Sequence, residues 1–76
     1  MARVRTRDER LMGAAVMKAS FRLRGQEDTL VFKSIYAGLL EDLDVTDREV
    51  DAFFAEHRED VEARARAAAG KHITDA

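Results

Sequence analysis

The sequence predicts an all-α fold, a small three-helix bundle with a helix-turn-helix-like arrangement that is expected to self-associate. Three observations support this prediction. Proline is absent from all 76 residues. Apolar residues recur at three- and four-residue spacing, the period of an amphipathic helix. Two segments carry a threonine followed three residues later by glutamate, the capping-box pattern that begins a helix. Short connections between such helices favour a bundle.

The first helix is predicted from Arg7 to Leu23. Thr6 and Glu9 form its capping box, and Gly25 stands where a left-handed residue ends a helix. Apolar residues occupy more than one side of this helix, which indicates a buried or self-associating position. One stripe comprises Leu11, Met12, Ala15, Val16, Ala19 and Leu23, and a second comprises Ala14, Met17 and Phe21.

The second helix is predicted to begin at Asp28 or Thr29 and to end at Leu43. Its stripe comprises Phe32, Ile35, Leu39 and Leu43, widened by Val31, Tyr36 and Leu40. Several of these residues are β-branched or aromatic, so a strand over residues 29–36 is the alternative. The helix is preferred because the apolar period is nearer 3.6 than 2.

The third helix is predicted from the Thr46–Glu49 capping box to Gly70. Its apolar stripe comprises Val50, Phe53, Phe54, His57, Val61, Ala65 and Ala68. We interpret the chain as a single helical domain over residues 1–76, with a basic arm at 1–6 and a loose tail at 71–76.

Composition excludes several classes of protein. Without cysteine there is no disulfide, thiolate metal site or thiol nucleophile, which favours a reducing compartment, so we expect a cytoplasmic protein. No apolar run approaches the roughly 20 residues that span a bilayer, so we expect no membrane partner. Thirteen of the apolar residues are alanine, so the core is thin, and self-association or a protein partner is expected to stabilise it.

No arrangement of residues indicates catalysis or metal binding. The serines and threonines have no histidine brought beside them by spacing, and nucleophilic catalysis needs such a base. His57 and Asp60 make at most half a metal site, and the alternating oxygens from Asp42 onward lack the glycine and the final acid of a calcium loop. We therefore expect no enzyme activity, catalytic residue, metal, cofactor or small-molecule substrate. His57 is interpreted as a partly buried core or interface histidine with one hydrogen bond, with a pH-sensitive contact as the alternative.

The segment 37–54 resembles the helix-turn-helix of DNA-binding regulators. Leucines close one helix, Asp44 and Val45 make the turn, and Thr46 caps the next helix. The resemblance implies two helices joined by a tight turn. The second helix, however, presents Asp47 and acids further on, which phosphates repel, so we do not expect it to read a DNA groove.

Charge is unevenly distributed along the chain. Residues 1–24 hold seven basic side chains against two acidic ones, and residues 41–62 hold ten acidic against two basic. The simplest interpretation is that the two regions neutralise each other within one monomer. The leading functional hypothesis is a non-enzymatic interaction module or regulator that binds a partner protein through a helical, partly acidic surface. Its candidate contact residues are Asp51, Glu56, Glu59, Asp60 and Glu62.

The alternative hypothesis is a small dimeric, DNA-associated transcriptional regulator that uses its basic N-terminal arm. Arginine arms enter minor grooves and bind phosphates in a salt-dependent way. The candidate residues for nucleic acid are Arg3, Arg5, Arg7 and Arg10. A third interpretation is a structural subunit of a larger assembly.

Overall fold

A computed structural model describes the backbone of residues 6–74 and the side chains of residues 6–68. Over these residues the chain forms four helices and no strand, which confirms the all-α bundle. The helices are α1 (Arg7–Leu23), α2 (Leu30–Leu43), α3 (Asp47–Glu56) and α4 (Arg58–Thr74). The strand alternative over residues 29–36 is wrong, because α2 occupies that segment.

Helix α1 lies at the centre of the bundle and contacts each of the other three helices. Its capping box is complete, with the Thr6 hydroxyl accepting from the backbone N–H of Glu9 at 3.1 Å. Ala14, Ala15 and Ala19 are buried, and these small side chains let the neighbouring helices approach closely. Apolar residues on more than one side of α1 therefore reflect a central position.

The helix termini on either side of α2 are set by local sequence. Gly25 has φ +68°, and the backbone N–H of Gln26 donates to the Phe21 carbonyl at 2.9 Å, which is the hydrogen bond of a Schellman cap. Thr29 caps α2 by accepting from the backbone N–H of Phe32 at 3.1 Å. Asp44, also left-handed at φ 56°, ends α2 in the same manner.

One predicted helix is divided in two. The segment from Thr46 to Gly70 was expected to be continuous, but it bends at His57, which has φ −120° and ψ 32°. No proline or glycine causes this bend. The bend accompanies the packing of both α3 and α4 against α1, and Val61 and Ala65 beyond it are fully buried. Tertiary packing thus overrides the helical continuity that the local sequence favours.

The two ends of the chain differ from expectation in part. Helix α4 passes through Gly70 and ends at Thr74, so the backbone of residues 71–74 is helical, where a loose tail was predicted. Thr6, placed in the basic arm, is the N-cap of α1. Residues 1–5 of that arm and residues 75–76 of the tail lie outside the described part of the chain.

Candidate protein-binding surface

The predicted acidic contact residues do not gather on one surface. Asp51 and Glu62 lie near Arg22, on the side of α1 that carries Lys18. After the hydrogen bond to Glu27, their negative charges help to raise the pKa of Arg22. Glu56 and Asp60 instead line grooves beside Phe53 and His57, which neither Asp51 nor Glu62 lines.

Three of the five predicted acids form ion pairs within the chain. Asp51 accepts from the Lys18 ammonium at 2.6 Å, Asp60 from the Arg64 guanidinium at 3.0 Å, and Glu62 from that of Arg58 at 3.5 Å. Glu56 and Glu59 are exposed and have no ion pair among the described residues. Among the five predicted acids, these two are therefore the ones without a cationic partner in the described part of the chain.

Basic residues of α1 bind acids of α3, which supports the interpretation that the two charged regions neutralise each other within the monomer. The Arg7 guanidinium donates to the Glu49 carboxylate. Lys18 donates to both Asp47, at 3.0 Å, and Asp51. The Arg7 contact and the capping hydrogen bonds at Thr46 hold the pKa of Glu49 below its usual range.

Tyr36 joins this network and connects α2 to α3. Its hydroxyl donates to the Asp47 carboxylate at 2.6 Å, and the Lys18 ammonium lies 5.4 Å from the centre of its ring. Burial, followed by the hydrogen bond to Asp47, raises the pKa of Tyr36. The same hydrogen bond, followed by the one from Lys18, lowers the pKa of Asp47. The side of α2 that carries Tyr36 is therefore fixed against the rest of the bundle.

The arginines proposed for nucleic acid are partly occupied by contacts within the chain. Arg7 binds Glu49, and the half-buried Arg10 donates to the carbonyl oxygen of Leu43 at 2.9 Å, at the end of α2. Arg3 and Arg5 lie outside the described residues. Arg7 and Arg10, the two candidate arginines within the described residues, therefore bind groups of the protein itself.

His57 does not occupy the position predicted for it. Its side chain is exposed, and its ring packs on that of Phe53 with 4.3 Å between centres. The residue lies at the bend between α3 and α4, so the apolar stripe of a continuous helix does not pass through it. The expectation of a histidine partly buried in the core is wrong for this reason, and an interface position stays a prediction.

An open groove of about 930 Å³ runs between the first half of α1 and the bend at His57. Met12, Val16 and Phe53 supply its apolar lining, while Asp8 and Asp60 are among its charged residues. Within the described residues, the Asp60 carboxylate is already paired with Arg64. The groove is therefore a shallow surface with a mixed lining.

The most distinctive surface lies on α2. Five exposed, uncharged residues at spacing i, i+1, i+4, i+5 and i+8 share the side of this helix that faces away from buried Phe32 and Tyr36. We call this surface the outer face of α2. It comprises Leu30 (83% exposed), Val31 (64%), Ile35 (45%), Ser34 and Gly38.

Sequence reasoning missed this surface because Val31 and Ile35 were assigned to the packed stripe of the helix. A signal was present in the composition. Of the 14 residues of α2, only Lys33, Glu41 and Asp42 are charged, and two of these fall in the last turn. A helix that packs on one neighbour needs a single apolar side, so an apolar excess of this size indicates a second contact surface.

Among the described residues, no helix is long and apolar enough to cross a membrane. Their side chains also form no group of three or more metal-ligating residues. No protein-family model, curated protein or solved structure matches the chain. Evidence about its function therefore comes from its own residues.

Proposed function

We propose that this chain is a non-enzymatic protein-interaction module that binds through the outer face of α2. The observation that supports the proposal is the concentration of exposed large apolar side chains at one place. Leu30, Val31 and Ile35 lie within two turns of α2, and Leu23, half exposed, ends α1 seven residues before Leu30. Scattered apolar residues are normal on protein surfaces, whereas a contiguous group indicates a binding site.

The middle of the outer face is suited to close contact with another protein. Gly38 lies in the interior of α2, where glycine costs about 1 kcal/mol relative to alanine. An added Cβ at Gly38 would meet no atom within 4 Å, so packing inside the monomer does not require glycine there. Gly38 and Ser34 form a strip of small side chains beside Val31 and Ile35, along which another protein could approach the helix closely.

Binding through the outer face of α2 involves an apolar surface and not the acidic residues predicted from the sequence. Asp51, Asp60 and Glu62 already have cationic partners within the chain. Ion pairs at exposed positions contribute little energy, commonly 0 to about 1 kcal/mol each. Burial of Leu30 and Val31 would contribute more, at roughly 25 cal/mol for each Å² of apolar surface removed from water.

Site-specific photo-crosslinking in the cells that express the protein tests the proposal. A benzophenone-bearing amino acid replaces Ser34 in the outer face, and in a matched control it replaces exposed Ala63 on α4. We expect protein adducts from position 34, with few from position 63. The same experiment in a Val31→Glu/Ile35→Glu background should lose the adducts, because charge opposes burial of the face.

The identity of the adduct separates the alternatives. A protein adduct, whether with another protein or with a second copy, supports the interaction module. An adduct with nucleic acid would favour the DNA-associated regulator, and equal labelling from positions 34 and 63 would overturn the proposal. Circular dichroism of the double variant checks that its helices are intact, since both replaced side chains are exposed.

A further inference from the structure

We infer that the occupant of the outer face of α2 is an amphipathic helix of a different protein, with apolar residues along one side and lysine or arginine at one end. The inference rests on the proposed function and adds to it the chemistry of the partner. It depends on the charges that lie on the same side of α2 as the outer face.

Acidic residues continue the outer face towards the C-terminal end of α2. Glu41 lies seven residues beyond Ser34, which is about two helical turns. Asp42 has the same relation to Ile35, so both acids lie on the side of α2 that carries the outer face. Both are exposed, and neither has an ion pair among residues 6–68. This side of α2 is therefore apolar in its N-terminal part and acidic at its C-terminal end.

The negative charge at the C-terminal end of α2 is not offset within the helix. The last turn contains no basic residue, and the negative end of the helix dipole adds to the two carboxylates. Exposed Asp44 follows directly. Arg10 approaches this end, but its guanidinium donates to the Leu43 backbone carbonyl at 2.9 Å and to no carboxylate there. A cationic group on another molecule is the natural complement of this end.

The basic residues nearest to the outer face in sequence do not lie on it. Lys33 belongs to α2, but helical periodicity turns it away from the centre of the face. Arg24 precedes the helix, where its guanidinium lies 4.6 Å from the centre of the Phe21 ring. The carboxylate of exposed Asp28 offsets the Arg24 charge before the helix begins. The N-terminal end of the face is therefore close to neutral.

These charges distinguish between the possible occupants of the apolar surface. A second copy would bring the same acids, so pairing through the same face leaves the carboxylates without cations. Phosphates of nucleic acid and anionic lipid headgroups carry the same sign of charge as these carboxylates. A protein surface that combines apolar and basic side chains both buries the apolar residues and neutralises the acids.

The backbone of α2 favours a helix as the form of the partner. The interior N–H and C=O groups of α2 are bonded within the helix, so its side offers no backbone group with which a strand could pair. A helical partner satisfies its own backbone and binds through side chains alone. From Leu30 to Asp42 the surface extends about 18 Å, so a partner helix of about 12 residues covers it. Ser34 and Gly38, the small residues of the face, let that helix approach closely.

Selection from a displayed library tests the inference while the partner is unidentified. The library presents a helix of about 14 residues, held in a stable scaffold, with apolar, small, acidic and basic residues randomised on one side and at both ends. Binders are selected on the immobilised full chain, after removal of those that also bind the Val31→Glu/Ile35→Glu variant. Because that variant is more acidic than the original, this step also removes helices held by charge alone. We expect the retained helices to carry apolar residues at three- and four-residue spacing and lysine or arginine at one end.

Charge reversal at the acidic end checks the role of the carboxylates. Fluorescence anisotropy of a labelled, retained helix measures its dissociation constant, which Glu41→Lys/Asp42→Lys should raise about tenfold. A selection repeated on this charge-reversed variant should retain helices with glutamate or aspartate at one end. Lysine is favourable at the C-terminal end of a helix, so the variant is expected to fold, and circular dichroism verifies this. The matched control is Glu59→Lys, at an exposed acid of α4 without an ion pair in the described chain, and it should leave the constant unchanged.

Several results would overturn the inference. These are retained helices that lack a basic end, equal binding to the charge-reversed variant, and a library without any binder that depends on Val31 and Ile35. Concentration-dependent dimerisation that is lost in Val31→Glu/Ile35→Glu would make a second copy the occupant and would also overturn it.

Failure of the inference is distinguishable from failure of the proposed function. Protein adducts from position 34 in the photo-crosslinking experiment, together with any of these results, would keep the interaction module and exclude a basic helix as its partner. Absence of those adducts would overturn the interaction module itself.

Discussion

Replacing Tyr36 by phenylalanine removes the hydroxyl that connects α2 to α3 and changes almost nothing else. Phenylalanine keeps the ring, which stacks on Phe32 with 5.1 Å between centres. The lost group is the donor of a 2.6 Å hydrogen bond to Asp47. Tyr36→Phe therefore measures how firmly the helix that carries the outer face is attached to the bundle.

The expected loss of stability depends on how exposed the acceptor, the Asp47 carboxylate, is to water. Hydrogen bonds to charged groups contribute about 1.5–3 kcal/mol when they are buried. The Asp47 side chain is 55% exposed and keeps Lys18 as a second donor, so water and Lys18 compensate part of the loss. We expect Tyr36→Phe to lower the free energy of unfolding by about 1 kcal/mol, which corresponds to about 4–8 °C in the melting temperature of a domain this size.

Urea unfolding should be followed by far-ultraviolet circular dichroism. Fluorescence is unsuitable because Tyr36, which the substitution removes, is the only tyrosine and there is no tryptophan. A double-mutant cycle with Asp47→Asn should give a coupling energy of at least about 0.5 kcal/mol. Asp51→Asn is the matched control, since Asp51 contacts Lys18 but is not hydrogen-bonded to Tyr36. A Tyr36→Phe effect below about 0.3 kcal/mol, or equal coupling to both acids, would refute the reasoning.

Three further predictions concern stability. Gly13→Ala should raise the free energy of unfolding by about 0.5–1 kcal/mol, since an added Cβ meets nothing within 4 Å. Gly25→Ala should lower it by about 1 kcal/mol, because Gly25 has φ +68°. Thermal melts should therefore show shifts of opposite sign for the two variants. Leu11→Ala, at a side chain 2% exposed, should cost about 2.7–5 kcal/mol in urea titrations, and a cost below about 1 kcal/mol would contradict the assigned core. Hydrogen bonds from Tyr36 and then Lys18 lower the pKa of Asp47 in the folded protein. Ionised Asp47 therefore stabilises the fold at pH values above its ordinary pKa of 3.8, and this stabilisation is lost as the pH falls through the pKa of the folded state. Acid titration should therefore destabilise the unchanged protein more steeply than Asp47→Asn, and equal slopes would show that the interaction has no energetic effect.

The starts of α1 and α3 and the end of α1 were predictable because each depends on residues close together in sequence. Thr6 and Thr46 accept hydrogen bonds from residues three positions later, and Gly25 supplies the left-handed conformation that ends α1. Such features need no knowledge of the rest of the fold. The bend at His57 was not predictable in this way, because it depends on how Val61 packs.

The candidate surfaces likewise depend on tertiary packing that the sequence alone does not reveal. The acidic residues were assigned to one surface of a continuous third helix. In the structure Asp51 and Glu62 both lie near Arg22, whereas Glu56 and Asp60 line grooves beside Phe53 and His57. The outer face of α2 was missed because the sequence alone does not say that α2 packs mainly on α1. With that packing, the side chains of Val31 and Ile35 are not buried within the monomer.

The contact between α1 and α4 has a consequence for the order in which the molecule folds. Leu11 and Val61, both buried, are separated by 50 positions, so their packing closes a long loop and carries the corresponding entropic cost. A chain emerging from the ribosome therefore forms the α1–α2 hairpin well before α4 is available. During that interval the side of α1 that later receives α4 and the outer face of α2 are exposed together. Early contact between nascent copies would thus compete with closure of the core, and rapid completion of α4 favours the correct product.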